Sequence, residues 1–149
     1  MSRRLTGSAH EMIDASAGTC LGVLGDAERW PEWFSRVRRV EVLNPRAEGT
    51  PLLVAIEASV LRLHPQLVAT LTMDGASRIE LERVPNQPGD EEVLRLTVTV
   101  EPRGARALAR ADIEAQVDAP RLMPLPHAVA DHFAAEVLHA LAGWCLHLR

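Results

Sequence analysis

The chain has 149 residues, of which 47% are hydrophobic and 24% charged, a balance typical of a globular protein with its own apolar core. Its formal net charge of −4 argues against a nucleic-acid-binding surface, which requires clustered positive charge. All sixteen basic residues are arginine, and lysine and tyrosine are absent, which excludes Schiff-base catalysis by lysine, the P-loop lysine and a phenolic acid.

No stretch of the sequence suggests a targeting or membrane-spanning segment. The N-terminal MSRRLTGSAHE has no apolar core of the kind that a signal peptide needs. No run approaches about 18 uncharged apolar residues, so no membrane span is predicted and the expected compartment is the cytoplasm. Cys20 and Cys145 fall in predicted helices, where buried free thiols are expected instead of a disulfide.

The N-terminal part predicts a strand and then a helix. Residues 5–13 suit a first strand, and IDAS at 13–16 leads into a small-residue helix, AGTCLGVLGD, at 17–26. Three glycines within this segment lower its intrinsic helix propensity. We therefore expect a short first helix.

The next stretch, DAERWPEWF at 26–34, holds three of the five aromatic residues of the chain. Proline is well placed in the first turn of a helix, where its missing N–H would be unpaired anyway. Asp26 just upstream is a plausible N-cap, because its carboxylate can accept the free N–H groups at the helix start. The stretch predicts a second short helix whose indoles, Trp30 and Trp33, close one end of the core.

From the end of this stretch to residue 118, the apolar residues recur with a period of two. Six segments suit strands: VRRVEVL, PLLVAIEASVLRL, QLVATLTMD, SRIELERV, EVLRLTVTV and ARALARADIEAQV. Turn residues lie between them in AEGT, MDGAS, NQPGD and PRGA, with a weaker break at LHPQ. Short connections join antiparallel strands, so the pattern predicts an antiparallel meander with one apolar and one polar face.

The C-terminal part predicts one long helix. Residues 127–147 follow a proline-rich connector, RLMPLP, and carry a broad apolar stripe. The stripe consists of Val129, Phe133, Val137, Ala140, Leu141, Trp144 and Leu148. This stripe is the expected cover for the apolar face of the sheet.

Three pieces of the sequence carry a resemblance to a known family: IDAS at 13–16, LGDAERWPEWF at 24–34 and the C-terminal helix. Together with the element order, which covers nearly the whole chain, they resemble the START/Bet v 1-like superfamily, and within it the polyketide cyclase/dehydrase and lipid-transport branch. The resemblance implies a single α+β domain, residues 1–149, with the helix-grip fold. In that fold a curved antiparallel sheet of about seven strands wraps around the long C-terminal helix, with two short helices after the first strand.

The resemblance also implies a hydrophobic ligand pocket between the sheet and the C-terminal helix. The side chains expected to line it are Val54, Ile56, Leu71, Leu81, Leu96, Val98, Ala109 and Ala111 from the sheet and Phe133, Val137 and Trp144 from the helix. The alternating alanines of the last strand have two interpretations, close packing of the helix or space for a ligand. Apolar walls suit a lipid, a polyketide or an aromatic compound.

Polar groups that could act in such a pocket are scarce. Arg62 and Arg83 have the parity of the apolar face near strand ends, where each could reach solvent or pair with an anionic head group. His64 lies in a predicted turn, either solvated or at the mouth of the pocket. No nucleophile motif such as G-x-S-x-G is present, and the superfamily has no universal catalytic set, so the catalytic residues are unknown.

One cluster of possible metal ligands lies on the long helix. His132, Glu136 and His139 fall within about 60° of one another at about 100° per residue, as a shared metal would require. A di-iron bundle needs the E-x-x-H motif twice on facing helices, and this sequence has it once. We interpret the cluster as a solvated helix face and predict neither a metal nor a cofactor.

Three functions remain open. The protein could bind or carry a small hydrophobic molecule, act as a polyketide cyclase, aromatase or dehydratase on a ligand in the same pocket, or serve as a protein-interaction module of the Hsp90-cochaperone type. The polar outer face of the sheet argues mildly against the third. We expect a hydrophobic small molecule as partner, no nucleic acid, and a monomer or homodimer.

Overall fold

The described part of the chain folds as a curved, seven-stranded antiparallel sheet with three helices. A computed structural model describes residues 2–44, 51–59, 64–75, 77–118 and 128–148. The strands are β1 (Ser2–Ile13), β2 (Val37–Val42), β3 (Leu52–Ala58), β4 (Gln66–Asp74), β5 (Arg78–Arg83), β6 (Val93–Arg103) and β7 (Arg106–Asp118). The helices are α1 (Ala17–Gly25), α2 (Trp30–Trp33), which directly follows a 3-10 turn at Ala27–Arg29, and α3 (Val129–His147).

The sheet order is β1-β7-β6-β5-β4-β3-β2, so the first and second strands form its two edges. Every neighbouring pair is antiparallel. This arrangement, with α1 and α2 after the first strand and α3 at the C-terminal end, confirms the predicted helix-grip fold.

The boundaries differ from the sequence prediction at a few points. β1 begins at Ser2, three residues before the predicted start, because its whole length pairs with β7. The predicted second helix is only one turn long, since Phe34 has an extended backbone. The predicted segment at 51–63 runs past the end of β3, and residues 60–63 lie outside the described part of the chain.

The caps of the two short helices also differ. Ser16 caps α1, where its Oγ accepts a hydrogen bond of 3.2 Å from the N–H of Thr19. The cap predicted at Asp26 is wrong, because its side chain makes no capping hydrogen bond to the turn that follows. Pro31 lies in the first turn of α2, as the missing N–H of proline favours.

The register of the strands confirms the predicted faces of the sheet. On the inner face, which packs against the helices, residues in register on adjacent strands form a line across the sheet. We call this line the leucine row; it comprises Leu52, Leu71, Leu81 and Leu96 and continues to Ile113 and Gly7. On the outer face, Thr72 opposes Glu80 and Thr97 opposes Asp112.

The two tryptophans of α2 have different environments. Trp30 is buried, and its indole N–H donates a 3.0 Å hydrogen bond to the carbonyl of Leu24 at the end of α1. Trp33 is only partly buried and stacks on Phe34, with 6.0 Å between the ring centroids. Phe34 in turn meets Phe133 of α3 edge to face at 5.8 Å. The closely spaced aromatic residues therefore join α2 to α3, and the core end is closed by Trp30.

Helix α3 approaches the sheet most closely at Gly7 on β1. A Cβ atom at this position would lie 2.7 Å from the Cβ of Ala130 and closer still to the backbone of Ala130 and Asp131. The N–H of the next residue, Ser8, donates a 2.9 Å hydrogen bond to the Asp131 carboxylate. Glycine in a strand interior marks such close backbone approaches. The start of α3 is therefore fixed against the edge strand.

We expect Gly7→Ala to destabilise the protein by about 1–3 kcal/mol, because the added methyl group collides with the backbone of α3. Gly143→Ala is the matched control, since a Cβ there meets nothing within 4 Å and alanine is the better helix former. Urea denaturation measures both free energies of unfolding. A Gly7→Ala variant as stable as the parent would contradict the close approach of α3 to β1.

Candidate functional site

The inner face of the sheet is almost wholly apolar. Among the strand residues whose side chains the structure describes, the register places two ionisable ones on this face, Glu11 on β1 and Arg83 at the end of β5. Glu11 belongs to the edge strand β1, and its carboxylate is 3.8 Å from Nδ1 of His139 on α3. The chemistry that this face could supply therefore depends on what Arg83 contacts.

Arg83 is largely buried and forms an ion pair with the loop that connects β5 to β6. Its Nη2 lies 2.7 Å from a carboxylate oxygen of Asp90, and the two side chains are 9% and 11% exposed. Its Nη1 donates a 2.9 Å hydrogen bond to the carbonyl of Glu92. The positive charge of Arg83 is thus paired with a carboxylate of the protein.

The Asp90 carboxylate organises the same loop. Besides the bond from Arg83, it accepts hydrogen bonds of 3.0 Å from the N–H of Asn86 and 3.1 Å from the N–H of Glu92. The hydrogen bond from Arg83, followed by these two backbone bonds, lowers the pKa of Asp90 well below its ordinary value. Three donors around one carboxylate fix the loop at the end of the sheet where Arg83 lies.

The residues predicted to line a pocket fall into two groups. Those fully or nearly fully buried are Val54, Ile56, Leu71, Val98, Ala109, Ala111 and Val137. Those that keep part of their surface accessible are Leu81, Leu96, Phe133 and Trp144. Members of the second group have free surface that a bound molecule could cover, whereas the buried members already pack against protein atoms.

The alanines of β7 lie where helix α3 covers the sheet. Ala107, Ala109 and Ala111 are completely buried, in one cluster with Ala134 and Leu138 of α3. Helix α3 packs mainly on β1 and β7, and its other main neighbours are α1 and α2. This placement agrees with the close-packing interpretation of the alanine stripe, because small side chains let the helix approach the strand.

Trp144 faces the short helices. It lines a groove of about 180 Å³ between α1 and the C-terminal half of α3, together with Trp33 and Arg29. A larger depression, of about 460 Å³, lies at the other end of α3 and is lined mostly by polar side chains, including Arg95, Asp112 and Asp131. Both are formed entirely by described residues, and sequence reasoning predicted neither.

Of the remaining polar candidates, the structure describes only His64, which is exposed just before β4. Arg62 lies outside the described residues, so its predicted place at the pocket stays a prediction.

The possible metal ligands on α3 contact different partners. Arg36 forms a bidentate ion pair with Glu136, with distances of 3.0 and 3.1 Å, and Nε2 of His132 lies 3.4 Å from the same carboxylate. The hydrogen bond from Arg36 lowers the pKa of Glu136. His139 instead lies beside Glu11. Among the described residues, no group of three or more histidine, cysteine or acidic side chains could hold a metal ion.

The two cysteines are buried between α1 and α3. Cys20 is 0% and Cys145 2% exposed, and both thiols are free. A hydrogen bond with Cys145, together with burial, raises the pKa of the Cys20 thiol. A protonated, inaccessible thiol is a poor nucleophile, so Cys20 packs as a small apolar side chain.

We expect the free energy of unfolding of Asp90→Asn to fall less steeply than that of the parent as the pH is lowered. The pKa of Asp90 is lowered in the folded protein, so its contribution is present at neutral pH and is lost as the pH falls below the ordinary value of 3.8 toward the lowered one. Urea midpoints should therefore fall less steeply with acid in the variant, which starts from a lower stability at neutral pH. Asp74→Asn, at the exposed end of β4, controls for the lost charge. If the stability of the parent and that of Asp90→Asn fall equally steeply with acid, the assignment is refuted.

No protein-family model and no curated protein sequence matches the chain. Within the described residues, no helix combines the length and the apolar character that crossing a bilayer requires. Solved structures, in contrast, resemble it over almost its full length.

A START superfamily protein from Mycobacterium smegmatis is similar with a TM-score of 0.83 and 19% identity, covering 97% of this chain and 99% of that one. The Zhui aromatase/cyclase from Streptomyces is similar with a TM-score of 0.76 and 17% identity, over 100% and 97% of the two chains. Norcoclaurine synthase from Thalictrum flavum is similar with a TM-score of 0.70 and 14% identity, over 99% and 97%. The chain therefore has the fold of the START/Bet v 1-like superfamily, as its sequence predicted.

Proposed function

We propose that this protein binds a small hydrophobic molecule on the inner face of its sheet, along the leucine row. The observation that carries the proposal is the unequal cover of this row. At one end α3 lies directly on Gly7, whereas Leu52, Leu81 and Leu96 further along keep part of their surface accessible. Leu81 and Leu96 are partly exposed and in register on neighbouring strands, so they form an apolar surface that a ligand can cover.

Helix α3 supplies the second wall of the proposed site. Phe133 is partly exposed, one turn after the residues of α3 that lie on Gly7. Its ring is held edge to face by Phe34, so its position is fixed before a ligand arrives. In this proposal Leu81, Leu96 and Phe133 contact the ligand, whereas the buried members of the predicted set form the floor behind them.

The charges favour an uncharged ligand or one whose polar end stays in water. Arg83 lies on the inner face beside the proposed site, and its charge is already balanced by Asp90. An anionic head group would have to compete with a carboxylate that Arg83 holds at 2.7 Å. We therefore propose an apolar lipid, polyketide or aromatic compound without a head group bound to Arg83.

Binding without turnover is the preferred form of this proposal. General acid–base catalysis needs a titratable group within hydrogen-bond reach of the ligand. Among the inner-face strand residues whose side chains the structure describes, the ionisable ones are Glu11, beside His139, and Arg83, in its ion pair. The Zhui aromatase/cyclase shares this fold, so cyclisation of a bound poly-β-ketone is the alternative that an experiment should include.

We expect the protein to bind the uncharged probe 1-aminoanthracene with increased probe fluorescence, and Leu81→Trp to abolish this binding. If the inner face is open at Leu81, the added ring fills the site with little loss of stability. In a filled core the same change would cost about 1–3 kcal/mol. Thr72→Trp is the matched control, because it adds the same ring to the outer face of the neighbouring strand and should leave binding unchanged.

Native mass spectrometry of the protein as purified provides a second, independent measurement, since a co-purified lipid or aromatic compound would appear as added mass. The proposal fails if the parent binds no probe and Leu81→Trp unfolds more readily by the amount expected for a filled core. Release of a cyclised product from a poly-β-ketone would replace simple binding by the enzymatic alternative.

A further inference from the structure

We propose that the groove between α1 and the C-terminal half of α3 is a second small-molecule site, which takes a single aromatic ring bearing a hydrogen-bond acceptor. The groove shares no residue with the leucine row, so this inference is independent of the function proposed above. Its volume of about 180 Å³ exceeds the roughly 150 Å³ of an apolar cavity that is known to hold benzene.

The walls of the groove are two indoles, each in contact with a neighbouring ring. Trp33 comes from α2 and Trp144 from α3, and both are partly exposed. Trp33 stacks on Phe34, while Trp144 has His147 stacked on it at 5.2 Å and the guanidinium of Arg29 at 5.8 Å from its ring centroid. Aromatic walls held by their neighbours favour a planar aromatic occupant, because ordering them costs little on binding.

The hydrogen-bonding state of Trp33 specifies the occupant further. Its indole N–H is buried and has no hydrogen-bond partner in the described part of the chain. Trp30, by contrast, satisfies its indole N–H with the carbonyl of Leu24. An unsatisfied buried donor typically costs about 1–3 kcal/mol. A ligand carbonyl that meets the Trp33 N–H, after a small rotation of the partly exposed indole, would remove this cost.

Glycine keeps the groove open on the side of α1. Gly22 lies on the exposed side of this helix and lines the groove, and a Cβ atom built on it meets nothing within 4 Å. A larger side chain at this position can therefore occupy the groove without displacing the helix. Gly143 on α3 is also helical, exposed and unobstructed, but it does not line the groove.

Nuclear magnetic resonance of the three indole N–H groups tests the proposal directly. Acetophenone is the probe, and α-methylstyrene, which has nearly the same shape without the carbonyl, is its control. We expect acetophenone to move the Trp33 indole resonance to lower field in a saturable manner and to leave Trp30 unchanged, with α-methylstyrene moving Trp33 much less. Trp33→Phe and Trp144→Phe variants assign the resonances.

Two matched variants complete the experiment. Gly22→Leu should weaken acetophenone binding by about tenfold or more, whereas Gly143→Leu should bind like the parent. The proposal is overturned if Trp33 does not respond, if both probes act equally, or if Gly22→Leu binds as tightly as Gly143→Leu. A Trp33 shift that depends on protein concentration without any probe would assign the groove to a second copy of this chain and would also overturn it.

Discussion

The contact between the start of α3 and Gly7 of β1 is the constraint on which the rest of the structure depends. A side chain of any size at this position would push the helix away from the edge strand, because the backbone atoms of Ala130 and Asp131 occupy its place. The bond from the Ser8 N–H to Asp131 fixes the same point by a polar interaction. The long helix is thus held over one side of the sheet.

The position of α3 divides the inner face into a packed part and an accessible part. Ala107, Ala109 and Ala111 on β7 let the helix lie close to the sheet, and all three are completely buried. The leucine row leads away from this contact toward β3, and three of its leucines keep accessible surface. A closely packed helix on one side therefore leaves partly accessible apolar side chains on the other.

Two ion pairs hold the parts of the chain around these apolar side chains. Arg36 beside α2 forms an ion pair with Glu136 in the middle of α3, and Arg83 forms one with Asp90 in the loop after β5. Both pairs engage residues that the sequence offered as candidate partners of a metal or an anionic ligand, Glu136 and Arg83. Their role in the described structure is to fix helices and loops, which leaves the inner face to apolar contacts.

Much of the fold could be predicted from local patterns in the sequence. Alternation along the strands gives the faces, since a shift of one residue would expose the whole apolar set. The Trp–Pro–Glu–Trp stretch indicated a short helix at the core, although its cap at Asp26 did not form. The α3 apolar stripe likewise identified a covering helix.

The details of the candidate site depended on contacts between distant parts of the chain. Glu136 meets Arg36 across 100 positions, so no spacing on α3 could reveal that partner. The role of Gly7 is likewise visible only where the helix returns to the first strand. A glycine inside a predicted strand was the available signal, since such glycines often mark a close backbone approach. The groove at Trp144 arises from three separate elements and has no local signature.

Methyl resonances of the leucines test the central claim most directly, that the accessible part of the leucine row is where an apolar molecule binds. In a methyl-labelled protein titrated with 1-aminoanthracene, the account predicts saturable shifts at Leu52, Leu81 and Leu96. The exposed Leu146 on α3 lines neither proposed site, so it reports non-specific adsorption and should stay unchanged. A shift at Leu146 equal to those along the row, or no saturable shift along the row, would contradict the account.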